Sequence, residues 1–256
     1  MVLDGIKSKG NLKRWERHLE LKRREPPSPK DVIEFIKEIE ISNLKVAAYL
    51  SVLILTACRS NELLHYKYFW VKNPKLRDGS RKYKLDWETY RRLRDEGQAK
   101  IIEKPGLRKF DVEVVERKGK EWVKFSVRNQ KRKKVDQTIY RSVLIPLDED
   151  YYLSYLLDVF NKYWDSLKLD DALDSKEVFD FSSEYVGHYL SKHYGINIHI
   201  WRHYRCKWLV DEKYEHLNSY QLQKFIGWDD LNMSVIYAEA SEENIAAAFE
   251  KSIKNE

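Results

Sequence analysis

Apolar residues recur at helical spacing in the first third of the chain. Ser28 followed by Pro29 is typical of a helix N-cap and first helical position. Residues 31–40 then place apolar side chains on one helix face, namely Val32, Phe35, Ile36 and Ile39. A second helix is predicted from Asn43, apolar nearly all round and therefore buried, with Arg59 at its end. We expect another helical stretch to begin at Glu62.

The middle of the chain changes from helical spacing to a strand pattern. Residues 111–117 and 122–127 alternate with a strand period and are separated by a turn at 118–120, and residues 139–147 are predicted as a third strand that ends at Pro146. The pattern predicts three strands in a small antiparallel meander. The loop between the last two strands, residues 128–137, is rich in basic side chains.

Helical spacing returns after residue 148 and continues to the end of the chain. Helices are predicted near residues 153–164, at 185–194 with Gly195 as C-cap, at 199–210, at 220–226 and from Ser241 onward. The apolar stripe of the last helix is formed by Ile245, Ala248, Phe249 and Ile253. The predicted fold class is therefore α+β, mainly α-helical, with one small three-stranded antiparallel sheet.

The composition of the chain indicates which binding partners and which cellular compartment to expect for the protein. The chain has 256 residues, of which 43% are hydrophobic, so it can bury a sizeable core. Lys plus Arg exceed Asp plus Glu by 47 to 41, a balance compatible with a polyanionic partner such as nucleic acid. Cys58 and Cys206 lack the spacing of a disulfide framework or metal site. With no membrane-length apolar run and no secretory pattern, we expect a cytoplasmic protein that does not bind membranes.

Four short motifs carry the candidate chemistry, in a fixed order. Arg59 lies in Thr-Ala-Cys-Arg-Ser-Asn-Glu-Leu-Leu, residues 56–64. His199 and Arg202 share a helix face in His-Ile-Trp-Arg-His, residues 199–203, and Gly-Trp follows at 227–228. Tyr237 comes nine residues after Trp228, in Ser-Val-Ile-Tyr. Together these motifs resemble those of the tyrosine recombinase (phage-type integrase) family, in particular integrases of archaeal viruses or plasmids.

The resemblance implies a role for each of these residues. Arg59 and Arg202 would hold a DNA phosphate, Glu62 would orient Arg59, and His199 would act as acid or base. Trp228 stands where His is commoner in the family, and its indole N–H can still donate to phosphate. Tyr237 would be the nucleophile. Lys131 would protonate the leaving 5′ oxygen, with Lys133 and Lys134 left open for that role.

The family's use of DNA also implies further contacts and a domain organisation. Lys133, Lys134, His203 and Arg205 are predicted to contact DNA, and the reaction needs no metal or other cofactor. Residues 41–240 would form the catalytic domain, whereas residues 1–40 are too short for a full core-binding domain. The helix at 241–256 either packs on its own domain or docks in a neighbouring subunit.

The expected function is site-specific cleavage and rejoining of double-stranded DNA through a 3′-phosphotyrosyl intermediate, in DNA integration or recombination. The protein would self-associate into a dimer or tetramer on DNA. Two alternatives share the predicted fold: relaxation of DNA in the manner of a type IB topoisomerase, and a DNA-binding relative without catalysis. The target site, and whether cleavage occurs in cis or in trans, do not follow from the sequence.

Overall fold

The two N-terminal helices begin and end at polar side chains. A computed structural model describes residues 26–72, 80–82, 86–129 and 139–228. Helix α1 spans Pro29–Ser42, and the Ser28 side chain accepts a hydrogen bond from the amide of Asp31. Asn43 ends α1 and caps α2, Leu44–Thr56, by accepting from the amide of Val46 at 3.1 Å. Both predicted helices are therefore confirmed.

Helix α2 is the central element of the core. All of its residues from Val46 to Thr56 are buried. The helix ends at Thr56, three residues earlier than predicted, because Ala57 adopts a left-handed conformation with φ 49°. The helix predicted from Glu62 is wrong: only a 3-10 turn at Ser60–Glu62 follows, and the chain then enters a strand.

The predicted antiparallel meander is present. Strands β4 (Val112–Arg117), β5 (Lys120–Asn129) and β6 (Ile139–Pro146) pair in that order. The three strands that precede them in the chain form a separate sheet. Their apolar face packs on α4, Ser154–Ser166, with the rings of Phe125 and Phe160 5.6 Å apart. Alternation along β5 and β6 buries one face and exposes the other, whereas the outer strand β4 has no buried residue.

A second small sheet was not predicted. It has the order β2–β1–β3, formed by Tyr66–Val71 (β1), Ser80–Lys82 (β2) and Ala99–Lys104 (β3), and helix α3 spans Trp87–Asp95. Tyr66 pairs with Lys104, so this segment leaves and rejoins the rest of the fold at one place. The return is tight: a Cβ on Gly106 would lie 2.8 Å from the amide nitrogen of His65.

Three helices complete the described chain: α5 (Ser183–Tyr194), α6 (Ile200–Val210) and α7 (Ser219–Ile226). They agree with the predicted helices at 185–194, 199–210 and 220–226, and Gly195 caps α5 as expected. The α+β, mainly helical fold class is thus confirmed. The helix predicted from Ser241, residues 1–25 and the basic loop at 130–138 lie outside the described residues. Within the described ranges, no helix has both the length and the apolar character to cross a membrane.

Candidate active site

The site begins at the turn that follows α2. Arg59 and Glu62 close this turn, because the Arg59 guanidinium lies 2.8 Å from Glu62 Oε1 and the Arg59 amide donates to Oε2 at 3.0 Å. The hydroxyl of Tyr49 donates to the carbonyl of Ser60 and fixes the turn from below. The Glu62 side chain is completely buried, whereas that of Arg59 keeps 16% of its surface exposed. With these contacts, Glu62 is placed to orient Arg59, which is the role that the sequence motifs implied.

Two further arginines reach the same carboxylate from other elements. Arg202, in the first turn of α6, lies 3.8 Å from Glu62 Oε2, and Arg141, on β6, lies 3.4 Å from that atom. Arg202 also donates to the carbonyl of Ala57 at 2.5 Å. Three guanidinium groups therefore share one buried carboxylate, and positive charge exceeds negative charge at this place.

The ionisation of Glu62 reflects these neighbours. Burial by itself raises the pKa of Glu62, but the charges of Arg141, Arg202 and Arg59 outweigh that effect and hold the pKa below its ordinary value. Glu62 is therefore an anion at neutral pH. A buried carboxylate that binds several arginines without neutralising them orients those arginines for a second anion.

The guanidinium of Arg202 has donor capacity left over. Arg202 is only 8% exposed, and its Nη2 is buried without a hydrogen-bond partner among the described residues. Leaving a buried charged donor unsatisfied costs about 1–3 kcal/mol or more, so a bound anion that accepts from this atom would be stabilised. The guanidinium carbon of Arg202 lies 5.8 Å from the ring centre of Trp228, so these two predicted site residues are close together.

His199 lies at the N-cap of α6, one helical turn from Arg202. Partial desolvation of its imidazole, together with the positive charges of Arg202 and Arg59, lowers the pKa of His199 from its ordinary value of 6.5. The imidazole is thus mainly neutral at pH 7 and can accept a proton. The structure brings His199 to the same place as the two predicted phosphate-binding arginines.

Trp228 is positioned by the end of α7. Gly227 has φ 73° and closes the helix, and its carbonyl accepts a hydrogen bond from Asn129 Nδ2 at 2.6 Å. Trp228 is 9% exposed and packs in a small cluster with Ala57 and Cys206. Asn129, at the end of β5, therefore holds the backbone next to Trp228. Trp228 in turn precedes the predicted nucleophile Tyr237 by nine residues.

The remaining predicted site residues differ in placement. His203 is half-buried on α6. Arg205, predicted to contact DNA, is 1% exposed, and its guanidinium binds Tyr151, Tyr152 and Glu215. This placement assigns Arg205 a structural role in place of the predicted DNA contact. Lys131, Lys133, Lys134 and Tyr237 lie outside the described residues.

Arg141 was missed by the sequence analysis, although a signal existed. In β6 the buried positions are 141, 143 and 145, so Arg141 occupies a position that alternation assigns to the core with Val143 and Ile145. A charged residue at an apolar position of an alternating strand needs a buried partner. Here the partners are Glu62, the carbonyl of Thr56 and the carbonyl of Phe225.

Comparisons with known proteins support the fold. No family model and no curated protein matches this chain. Among solved structures, the XerH site-specific recombinase bound to difH substrate in a pre-cleavage complex is similar, with a TM-score of 0.50 and 14% identity over 88% of this chain and 54% of that chain. The Tn1549 transposon integrase in complex with transposon right end DNA matches with a TM-score of 0.43 and 15% identity, over 98% of this chain and 70% of that chain.

The XerH likeness covers most of this chain but only about half of its counterpart. The described residues have the tyrosine recombinase catalytic fold that the sequence motifs implied. At this identity the likeness extends to the fold, and activity has to be argued from the residues of the site.

Proposed function

We propose that this protein cleaves and rejoins DNA at specific sites through a covalent 3′-phosphotyrosyl intermediate, in DNA integration or recombination. The observation that carries the proposal is the convergence of Arg59 and Arg202 at Glu62, with Arg202 Nη2 left unpartnered among the described residues. The planar guanidinium group suits the paired oxygens of a phosphodiester and stays charged at any physiological pH.

The proposed reaction has two balanced steps. The phenolic oxygen of Tyr237 forms a bond to phosphorus and the bond from phosphorus to the 5′ oxygen breaks. The leaving 5′ oxygen takes a proton from Lys131, with Lys133 and Lys134 as the other candidates. The oxygen of a 5′ hydroxyl from a partner strand then forms a bond to phosphorus and gives its proton back to the lysine. The bond from phosphorus to the Tyr237 oxygen breaks, and that oxygen takes back the proton held by His199. The energy of the broken phosphodiester bond is kept in the phosphotyrosyl bond, so the proposed reaction needs no nucleotide. We propose that it needs no metal either.

The described residues would lower the barrier of both steps. Arg59 and Arg202 would neutralise charge that develops on the non-bridging oxygens, which is usually the largest contribution to such catalysis. The indole N–H of Trp228 would add a neutral donor. His199 would accept the phenolic proton, and its lowered pKa favours the neutral form that this role needs.

A nicked duplex tests the proposal directly. A nick a few nucleotides 3′ of the scissile phosphate lets the short released strand diffuse away, so the covalent intermediate accumulates. Because the target site is unknown, the probe is a pool of such duplexes with randomised sequence around the nick. We expect an SDS-resistant protein–DNA complex that Tyr237→Phe abolishes. Tyr220→Phe is the matched control, since Tyr220 is 59% exposed on α7 and should retain the complex.

Two results would contradict the proposal. A covalent complex that persists in Tyr237→Phe would assign the nucleophile elsewhere. DNA binding with no covalent complex from any member of the pool would indicate a non-catalytic DNA-binding relative. Once a reactive sequence is known, exchange between two marked duplexes distinguishes a recombinase from an enzyme that only relaxes supercoiled plasmid.

Exchange of strands between two duplexes also requires more than one copy of the chain on DNA. We therefore propose self-association into a dimer or tetramer, with residues 241–256 as the docking element. Deletion of those residues should abolish exchange and leave single-strand cleavage of the nicked duplex intact. Loss of solubility after the deletion would instead show that the segment packs on its own domain.

A further inference from the structure

Arg141 joins three separate parts of the candidate site. Its guanidinium lies 3.4 Å from Glu62 Oε2, donates to the carbonyl of Thr56 at 3.2 Å and donates to the carbonyl of Phe225 at 2.8 Å. These partners belong to the turn after α2, the end of α2 and the last turn of α7. Each of the three guanidinium nitrogens of Arg141 has a partner within the protein, unlike Arg202 Nη2, so Arg141 is committed to these contacts and not to a substrate.

We propose that Arg141 is a positioning residue that holds the Glu62 carboxylate and the end of α7 in one fixed arrangement, so that Arg59, Arg202 and Trp228 face the same phosphate. This inference rests on the proposed function. It concerns a residue that makes no contact with substrate and acts through Glu62 and through the backbone of α7.

The packing around Gly227 supports this role. A Cβ at Gly227 would lie 2.7 Å from Arg141 Cδ and 2.6 Å from Asn129 Nδ2, so the end of α7 rests directly on these two side chains of β5 and β6. Trp228 follows at once, and Tyr237 follows nine residues later in the sequence. An arginine that anchors this helix end therefore sets the starting point of the segment that carries the proposed nucleophile.

The charge of Arg141 gives it a second effect on the site. Glu62 is one anion shared by three cations, and Arg141 makes the largest favourable charge contribution to its lowered pKa. The arginines Arg59 and Arg202 can then bind Glu62 and still attract a phosphate. Among the described residues, the titratable or charged groups that act on Glu62 or sense its charge include Arg141, Arg202, Arg59, Arg128, Tyr49 and Cys58.

Two substitutions separate the geometry from the charge. Arg141→Met removes both, whereas Arg141→Lys keeps the positive charge beside Glu62 but cannot span Glu62, Thr56 and Phe225 at once. The matched control is Arg108→Met. Arg108 also binds a buried carboxylate, that of Asp111 at 3.3 Å, and none of its described contacts involves Glu62.

The test uses the full chain and the nicked duplex pool described above. We expect Arg141→Met to slow formation of the covalent complex by about a hundredfold, the loss that a misplacement of about 1 Å produces, with a DNA dissociation constant within about threefold of wild type. The pKa of Glu62, followed by NMR titration, should rise in Arg141→Met because Glu62 loses one of its cationic neighbours. Arg141→Lys should form the covalent complex slowly but keep the wild-type Glu62 pKa, and Arg108→Met should cleave at the wild-type rate as long as it is folded.

The outcomes distinguish this inference from the proposed function. If Arg141→Met cleaves like wild type, or loses rate and stability only in parallel with Arg108→Met, Arg141 is structural and the inference fails. If wild type forms no covalent complex, the proposed function fails. Positioning is then decided by NMR of the arginine guanidinium N–H groups. The Arg59 Nη1–H signal, which belongs to the donor to Glu62 Oε1, should lose its exchange protection in Arg141→Met and keep it in Arg108→Met, and equal protection in both would refute the inference.

Discussion

Glu62→Gln tests the central ion cluster of the site. The Glu62 side chain has no exposed surface and lies 2.8 Å from Arg59, 3.4 Å from Arg141 and 3.8 Å from Arg202. Glutamine keeps the size of the side chain and one acceptor oxygen, but it removes the negative charge that these three cations share. The substitution therefore measures charge, with little change in packing.

The magnitude follows from opposing electrostatic terms. At an effective dielectric constant of about 20, each pair separated by 2.8–3.8 Å gains about 4–6 kcal/mol, and desolvation of the carboxylate opposes this gain. Breaking a buried pair by removing one partner typically costs about 3–5 kcal/mol. We expect a loss of that size in the free energy of unfolding, equivalent to a fall in Tm of about 6–20 °C for a protein of this length.

Urea unfolding at several pH values measures the effect. Because the folded-state pKa of Glu62 is lowered from 4.5, its contribution is complete above pH 4.5 and disappears as pH falls through the lowered pKa. The difference between wild type and Glu62→Gln should shrink accordingly in acid. Glu34→Gln, which breaks the exposed pair with Lys37, should cost less than about 1 kcal/mol. A Glu62→Gln protein as stable as this control at pH 7, or a difference that grows in acid, would refute the reasoning.

Two further predictions concern the backbone of α7 and the imidazole of the site. In Gly227→Ala, left-handed backbone strain should lower the free energy of unfolding by about 1–2 kcal/mol. The loss should be larger than this, because the new Cβ would also lie 2.6 Å from Asn129 Nδ2. Gly119→Ala, with the same φ of 73° and open space, measures the strain alone in urea unfolding, and equal losses would contradict the clash. NMR titration should give His199 a pKa below 6.5, which Arg202→Met raises; an unchanged pKa in that variant would rule out the charge effect.

Local signals explain which elements could be predicted from the sequence. Ser28 and Gly195 mark helix ends because they satisfy backbone groups within a few residues, and the structure has both caps. The turn at residues 60–62 was mistaken for a helix because Leu63 and Leu64 continue an apolar pattern. Its conformation is set by the Glu62 side chain, which accepts from the Arg59 amide.

Contacts between residues far apart in the sequence explain why the second sheet and the role of Arg141 were not predicted. Strand β1 is short, and Tyr66 finds its partner Lys104 only after an intervening strand and helix, so no window of sequence contains the interaction. The same holds for Arg205, whose partners Tyr151 and Tyr152 lie 54 and 53 positions earlier in the chain. The motifs around Arg59, His199 and Arg202 were informative because each has the spacing of one turn or helix, whereas Arg141 acquires its role only when β6 meets α2.

The charge balance of the site explains why a buried carboxylate is present at all. Three guanidinium groups without a counter-ion would repel one another and favour an open arrangement, whereas a second carboxylate would occupy Arg202 Nη2 and lower the net positive charge of the site. Glu62, together with backbone carbonyls, fixes the arginines and leaves the cluster with a net positive charge. Because these donors are fixed before any anion arrives, little reorganisation is needed when charge develops on a phosphate. Glu62 would thus act on the reaction through the placement of Arg59 and Arg202, which is why its removal should cost both stability and cleavage.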